Sequence, residues 1–471
     1  MKLRKWQQEC VELALEKYQA SKKHFFCLAT PGAGKTIMAA EVAAQLLDQD
    51  KIDFILCFSP SITVSQSMTY TFSNRLGTRF DGVIGAVGCS YTYQSMVFLK
   101  DDFWQILSNN RVMVVFDEIH HCAGTSVNNA NVWGEGILLK IQAQASYTLA
   151  LTGTPWRSDN MPITLANYLE SKFVQCDYTY GLKEAVNDSV CRSPKLVLID
   201  NEHLTVTGDD KRQRTFSSFK ALLDQSLVSY QSVITNTDVM RYILKQGCNK
   251  LSEIRKTNIN AAGLIVASSV QHANCLLELL HNEFDQTAVL VTYRQTEPSN
   301  IIKEFRYSQT QWVVSVGMIS EGTDIPRLQV CCHLSRIKTE LYFRQVLGRI
   351  LRVTKDINQE AWLFTFAEPT LTDFAHRIDQ DLPSHEVVIN DELPASLNSM
   401  IEISSVGTDV NDKLIELEIE NQSIKKYNYQ IDSSLVSEFT AQVNSLEILG
   451  LFRQQVIATF NSPFEVSELN K

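Results

Sequence analysis

Ala29-Thr30-Pro31-Gly32-Ala33-Gly34-Lys35-Thr36 is the segment that most narrows what this chain can fold into. It follows an apolar run, Phe25–Leu28, and opens an amphipathic run, Ile37–Leu47. Strand, glycine-rich turn and helix in that order form a P-loop, here with Ala29 where a first glycine usually stands. Gly32 and Gly34 reach backbone conformations that other residues avoid. Successive N–H groups of Thr30, Ala33 and their neighbours can then turn inward around phosphate oxygens. The helix N-terminus adds partial positive charge. Lys35 would neutralise the β- and γ-phosphates, and Thr36 would place its hydroxyl on Mg2+. The ligand pair read from this segment is ATP with Mg2+.

Short apolar runs bounded by turn residues recur at Phe54–Phe58, Val112–Phe116 and Tyr147–Leu151. Strands apolar on both faces belong in a parallel sheet covered by helices, so the fold class is α/β. Residues 1–185 read as one such domain. A second series, Lys195–Asp200, Gly263–Ala267, Ala288–Val291, Trp312–Val316, Val330–Leu334 and Ala361–Thr365, with helices at His272–Phe284 and Leu341–Leu351, gives a second α/β domain over 186–382. Within it, 203–260 reads as a more helical, polar insertion. Residues 383–471 read as an acidic accessory region. There Glu416, Glu418 and Glu420 alternate with Ile415, Leu417 and Ile419, the period of a strand with one wet face, and Ser434–Phe460 reads as a helix.

The run Val112–Phe116 leads straight into Asp117-Glu118-Ile119-His120. Two carboxylates at a strand end suit a metal-assisted hydrolase: Asp117 would hold Mg2+, and Glu118 would orient and deprotonate a water. Acids also collect at helix N-termini without any catalytic role, so the order after a P-loop carries the assignment.

Composition sets the outer limits. The chain has 471 residues, 44% apolar and 20% charged, ordinary for a globular enzyme and unlike a disordered or collagen-like chain. No window gives about 18 uninterrupted apolar residues, so no membrane span is expected. Met1-Lys2-Leu3-Arg4-Lys5 is basic, but no apolar signal core follows. The 11 cysteines are scattered without a C-x-x-C pair, which argues for free thiols rather than zinc or disulfides, and a cytoplasmic location is the expectation. The net charge of -10 argues against nucleic acid at first. Residues 385–471, however, carry 14 Asp/Glu against 5 Lys/Arg, which leaves the front of the chain nearly neutral and open to a local basic groove.

Taken in order, these motifs resemble a superfamily 2 helicase-type ATPase over about residues 3–366. Within it they resemble the branch that holds type III restriction motor subunits and XPB-like DNA translocases. Leu3-Arg4-Lys5-Trp6-Gln7 resembles the adenine-reading segment, with Gln7 as its amide and Lys5-Trp6 in place of a frequent Pro-Tyr. Ser59-Pro60 and Thr92-Tyr93-Gln94-Ser95 resemble strand-contacting motifs, Asp117–His120 a DExH box, and Thr152-Gly153-Thr154-Pro155 the motif that couples nucleotide to nucleic acid. His121, an extra histidine, is read as a packing or surface residue. Ser320-Glu321-Gly322-Thr323-Asp324-Ile325-Pro326 resembles motif V, with Gly322 and Asp324 on the nucleotide side. Gln345-Val346-Leu347-Gly348-Arg349-Ile350-Leu351-Arg352 matches Q-x-x-G-R-x-x-R. The resemblance implies nucleotide contact at Gln345, an arginine finger at Arg349 and a γ-phosphate partner at Arg352. Three residues apart, the two arginines would share a helix face.

The resemblance further implies two RecA-like domains in tandem, with ATP hydrolysed between them. It implies a nucleic-acid partner too, DNA ahead of RNA. Arg157, Arg294, Lys303 and Arg306 are candidate groove residues that nothing in the sequence separates from ordinary surface charge. Two function classes fit. One is a nucleic-acid-dependent ATPase that translocates along or unwinds DNA, with an RNA helicase as a variant. The other is an ATP-driven switch that recruits a partner without separating strands. No nuclease cluster stands outside the ATPase motifs, so a restriction or antiviral role would need a cutting subunit on another chain, docked through the C-terminal region. That role rests on family analogy.

Overall fold

The computed structural model of the chain describes residues 2–155, 157, 159, 161–169, 173–208, 212–225, 228–295, 297–319, 323–355, 359–379 and 443–458. These form two compact units, one within Met1–Ala185 and one from Val186 onward.

In the first unit the apolar runs become strands β1 (His24–Ala29), β2 (Phe54–Ser59), β3 (Gly88–Thr92), β4 (Val112–Phe116) and β5 (Tyr147–Thr152). A small antiparallel ribbon, β6 (Asn167–Leu169) and β7 (Phe173–Gln175), precedes β8 (Tyr178–Tyr180). The main sheet runs β3-β2-β4-β5-β1-β8, and its pairs are parallel. Both faces of such a sheet are covered, which is why β4 is apolar and buried at every position. Phe58 stacks on Phe116 and Trp104 inside that core, with Trp133, Ile137 and Ile141 in the same cluster. Register decides what the carboxyl ends of the strands share. Phe58 lies opposite Phe116, Phe116 opposite Ala150, and Leu28 opposite Thr152. Thr30, Ser59, Asp117 and Thr152 therefore come to one rim, the edge where ligands bind in open parallel sheets.

The second unit holds β9 (Ser193–Asn201), β10 (Leu204–Gly208), β11 (Gln213–Phe216), β12 (Ala262–Ala267), β13 (Ala288–Val291), β14 (Trp312–Ser315), β15 (Leu328–Leu334), β16 (Glu360–Phe366), β17 (Val443–Ile448) and β18 (Phe452–Ala458). Its sheet runs β13-β14-β12-β15-β16-β9-β18, parallel except for β18, which lies antiparallel on β9.

Residues 203–260 are largely helical, with helices at Phe219–Asp224, Tyr230–Ile234 and Thr237–Arg255. β10 and β11 form an antiparallel sheet with β17, and the helix Thr237–Arg255 packs on β15 and β16 as part of the α/β layering. The expected helix Ser434–Phe460 gives way, in its described part, to β17 and β18. Pairing with β10 and β9 supplies each backbone N–H and C=O on one side with a long-range partner, and that outweighs a local helical pattern. The described end of the acidic region thus belongs to the second unit's sheets. The expected strand at Ile415–Glu420 lies outside the described residues.

The close approach of the helix and sheet in this unit depends on glycine. A Cβ on Gly263 would stand 2.2 Å from the ring of Trp312, which is fully buried on β14. A Cβ on Gly247, in the helix Thr237–Arg255, would stand 2.6 Å from the Cys332 sulfur. All 11 cysteines are free thiols. Among the described residues no helix is long and apolar enough to cross a membrane.

Gly263→Ala is expected to destabilise the second unit by about 1–3 kcal/mol through overpacking on Trp312. A urea titration followed by tryptophan fluorescence reads it as a lower midpoint. An unchanged midpoint would mean that the indole does not lie on that backbone.

Candidate active site

β1 ends at Ala29, and the loop turns back through Gly32 and Gly34, whose φ values are 85° and 95°. The helix Lys35–Asp48 starts immediately after Gly34. Three neighbours hold the loop. Thr30 donates its backbone N–H to the Tyr180 carbonyl at 3.0 Å and accepts from Ala33 N. Gln7 donates from Nε2 to the Gly34 carbonyl at 2.9 Å and accepts at Oε1 from Arg4 N. The Arg4 guanidinium donates to the Ala33 carbonyl at 2.6 Å. Gln7 is buried, and its amide spans from the N-terminal segment to the loop. Thr36, the second residue of the helix, is half-buried.

The Lys35 ammonium lies 3.1 Å from Glu118 Oε1 and donates to the Ala29 carbonyl at 3.1 Å. Burial works against the charge on Lys35, but the Glu118 and Asp117 carboxylates outweigh it and raise its pKa. Burial would also push Glu118 up. Lys35 first, then His120, outweigh that and hold the carboxyl at about 2. Glu118 sits in the left-handed region, φ 50° and ψ 54°, a conformation that costs a non-glycine residue about 1–2 kcal/mol. Strain at a residue held by this many partners marks a position fixed for use.

The second Glu118 oxygen faces the coupling segment. Oε2 accepts from Gly153 N at 3.0 Å and lies 3.4 Å from His120 Nδ1. Thr152 is the hub. Its hydroxyl donates to the Thr154 carbonyl at 2.7 Å, accepts from Thr154 N, and lies 2.9 Å from His120 Nδ1. The Thr152–Pro155 turn is therefore wired to Glu118 and His120 through side chains as well as sequence order. Asp117, also buried, donates its backbone N–H to the Phe58 carbonyl, which seats it at the rim beside Ser59. His121 is a packing residue: its ring lies 4.5 Å from that of His120, and its carbonyl accepts from Asn131.

In the second unit the helix Glu340–Ile350 carries Gln345, half-buried, and Arg349, whose guanidinium donates to the Thr323 carbonyl at 2.8 Å. Arg352 does not share that helix face. Leu351 caps the helix, and Arg352 pairs in an isolated bridge with Cys191. A sequence offset of three puts residues on one face only while the helix lasts. From its new place Arg352 forms an ion pair with Asp324, which also binds Arg306 at 2.5 Å. Gly322 lies outside the described residues. Of the other groove candidates, Arg157 is buried, donating to the His120 carbonyl and pairing with Asp159, so it is a structural strut rather than a surface charge. Arg294 and Lys303 are exposed.

Sequence reasoning missed two arginines. Arg4 clamps the P-loop across 29 positions, with no sequence signal beyond its place three residues before Gln7. Arg192 is fully buried and donates to the carbonyls of Leu328 and Ile350, tying β9 to the end of the Arg349 helix. An isolated arginine before a strand carries no mark of that role.

A family model described as "Type III restriction enzyme, res subunit" matches residues 1–157, and one described as "Helicase conserved C-terminal domain" matches residues 246–354. The chain belongs to superfamily 2, the helicase-type ATPases. An uncharacterized protein of Mycobacterium leprae is 30% identical over 80% of this chain, and an uncharacterized protein of Mycobacterium tuberculosis is 27% identical over 80%. The chain spans 64% and 63% of those relatives, less than two thirds of their length. The DNA 3'-5' translocase XPB2 of Sulfurisphaera tokodaii is 24% identical over 75% of this chain and 79% of its own. Among solved structures, an HsdR subunit fragment of a type I restriction enzyme from Vibrio vulnificus superposes with a TM-score of 0.55 at 17% identity. It covers 83% of this chain and 68% of that one. The DNA-bound Type ISP restriction-modification enzyme LlaBIII gives 0.52 at 15% identity, over 78% of this chain and 28% of that one. These likenesses establish the fold, successive RecA-like α/β domains.

The depressed Glu118 carboxyl makes a stability prediction. A carboxylate held low in the folded state stabilises the protein above its unfolded pKa of about 4.3, and that contribution is lost as pH falls toward about 2. Urea midpoints should therefore drop between about pH 5 and about pH 3, and drop less in Glu118→Gln. Equal drops in both proteins would contradict the Lys35–Glu118 pairing.

Proposed function

We propose that this chain is a nucleic-acid-dependent ATPase that translocates along or unwinds DNA. The observation that carries the reading is Glu118: strained, paired with Lys35 of the P-loop, and bonded on its other oxygen to the Thr152–Pro155 turn. One carboxylate joins the phosphate-binding cation to the segment expected to answer to nucleic acid.

In this reading Asp117-Glu118-Ile119-His120 is a DExH box. ATP lies in the P-loop, with its phosphates on Thr30, Gly32, Ala33, Gly34 and Lys35 and its adenine read by Gln7; Gly322 and Asp324 of motif V are on the nucleotide side. The donor set fits Mg2+, which takes one or two carboxylates and fills its shell with phosphates and water: Asp117 and the Thr36 hydroxyl supply the protein's share. The ion, when bound, neutralises charge on the phosphates. Lys35 leaves Glu118 for the phosphates. Glu118 then loses the first of the charges that depress its pKa and becomes a better base toward the attacking water. Arg349 and Arg352, with Gln345 beside them, stabilise the charge that builds on the transferring group, once each exchanges its present partner for phosphate. Nucleic acid that favours the reacting state would raise the rate by shifting the population toward it.

DNA is favoured over RNA because the translocase relative and the LlaBIII structure are both named for DNA. A motor role in a restriction or antiviral complex, with a nuclease on another chain, extends the same analogy. The second reading is the partner-recruiting switch. It is favoured by the net charge of -9 over residues 385–471, which repels DNA and suits a protein contact.

Phosphate release from ATP, measured with single-stranded DNA, duplex DNA or RNA, tests the proposal. One polymer is expected to stimulate the chain strongly. Lys35→Ala and Glu118→Gln are expected to lower the stimulated rate by about a hundredfold or more, and Arg349→Ala to bind ATP yet hydrolyse it poorly. A flat rate with every polymer would favour the switch, and full activity of Arg349→Ala would remove the finger assignment.

A further inference from the structure

We propose that Tyr93 is a positioning residue for Glu118, whose hydroxyl sets the rate of ATP hydrolysis by fixing the peptide plane between Asp117 and Glu118. The inference rests on the functional reading above and concerns a side chain that makes none of the nucleotide contacts assigned there.

The Tyr93 hydroxyl donates to the Asp117 carbonyl at 2.8 Å, and the residue is fully buried. That carbonyl belongs to the peptide joining Asp117 to Glu118, so its direction is linked to the φ of Glu118. The φ is 50°, in the left-handed region that a glutamate ordinarily avoids. Relaxing Glu118 toward the right-handed region requires this peptide to rotate, and rotation swings the carbonyl off the hydroxyl. On the other side of Asp117, its N–H is fixed to the Phe58 carbonyl at 2.9 Å. Both peptides that flank Asp117 are thus pinned, one by the sheet and one by Tyr93.

The hydroxyl comes from a rigid source. Tyr93 opens the short helix Tyr93–Met96, whose start is closed by reciprocal bonds between Thr92 and Ser95. Its ring stacks on Trp133 at 5.5 Å between centroids and 24° between planes. A tyrosine locked at both backbone and ring has little freedom to follow the carbonyl elsewhere. Without it, Glu118 can still pair with Lys35, but the carboxylate no longer has one direction. General-base catalysis depends on that direction, because the water must be held in line with the phosphorus.

Tyr93→Phe keeps the ring and its stacking and removes only the hydroxyl. With the full chain and its activating polymer, kcat is expected to fall roughly tenfold, while KM for ATP stays within about twofold. Binding stoichiometry with a fluorescent ATP analogue counts the competent sites, so a loss of folded protein is not mistaken for slower chemistry. In a Glu118→Gln background the same change should lower the rate by less than about twofold, because the group being positioned is already gone. A wild-type kcat in Tyr93→Phe, or a full further loss in the Glu118→Gln background, would overturn the proposal. A second arm needs no hydrolysis: a crystal structure of Tyr93→Phe should show Glu118 moved out of the left-handed region, and a φ still near the present 50° overturns the proposal. A wild-type chain inactive with every polymer overturns the functional reading instead, and the crystal structure of Tyr93→Phe then decides this one.

Discussion

The pairing of Lys35 with Glu118 organises the first unit's rim. It joins the end of the P-loop to the end of β4, two places brought together only by the register of β1, β5 and β4. It also accounts for a glutamate in a left-handed conformation. Lys35 on one side, and Gly153 and His120 on the other, offer Glu118 more partners than a relaxed backbone would allow it to reach. The strain of about 1–2 kcal/mol is of the same size as one or two such bonds, so the arrangement is stable but not inert. Removing Lys35 from the pair takes away the first of the charges that hold the Glu118 carboxyl low and so raises its basicity.

The second unit repeats the theme with different chemistry. Arg352 rests on Asp324, and Arg349 on the Thr323 carbonyl. In both units the cations expected to meet phosphate are held by the protein's own oxygens. Arg192, buried and bonded to the Ile350 carbonyl at the end of the Arg349 helix and to the Leu328 carbonyl of β15, ties that helix end, and so the place where Arg352 leaves it, to the sheet.

Much of this was legible in the chain. The P-loop, the Asp117–Glu118 pair and most strands of both parallel sheets follow from short-range patterns: glycine spacing, apolar runs of strand length and the turn residues between them. Gly88–Thr92 escaped notice because Gly88 and Ser90 break the apolar run, and what makes it a strand is pairing with β2. The C-terminal strands were read as a helix for the opposite reason. Their leucines and valines fit a helical period locally, and only pairing with β9 and β10, more than 200 residues away, overrides it. The helix that the motif would carry to Arg352 stops two residues sooner, at Ile350, and Arg157, a groove candidate by sequence, is buried by the fold.

The sequence alone determined which chemical groups the protein has and in what order: a phosphate cradle, two carboxylates at a strand end, a threonine-rich turn and two arginines. These are local facts, written in spacing and side-chain type. Tertiary structure alone decided their partners. That Glu118 binds Lys35, Gly153 and His120, that Tyr93 reaches the Asp117 carbonyl, and that Arg352 turns to Asp324 all depend on strand register and on where helices end. Such contacts join residues tens of positions apart, and their distances are set by packing rather than by any local preference.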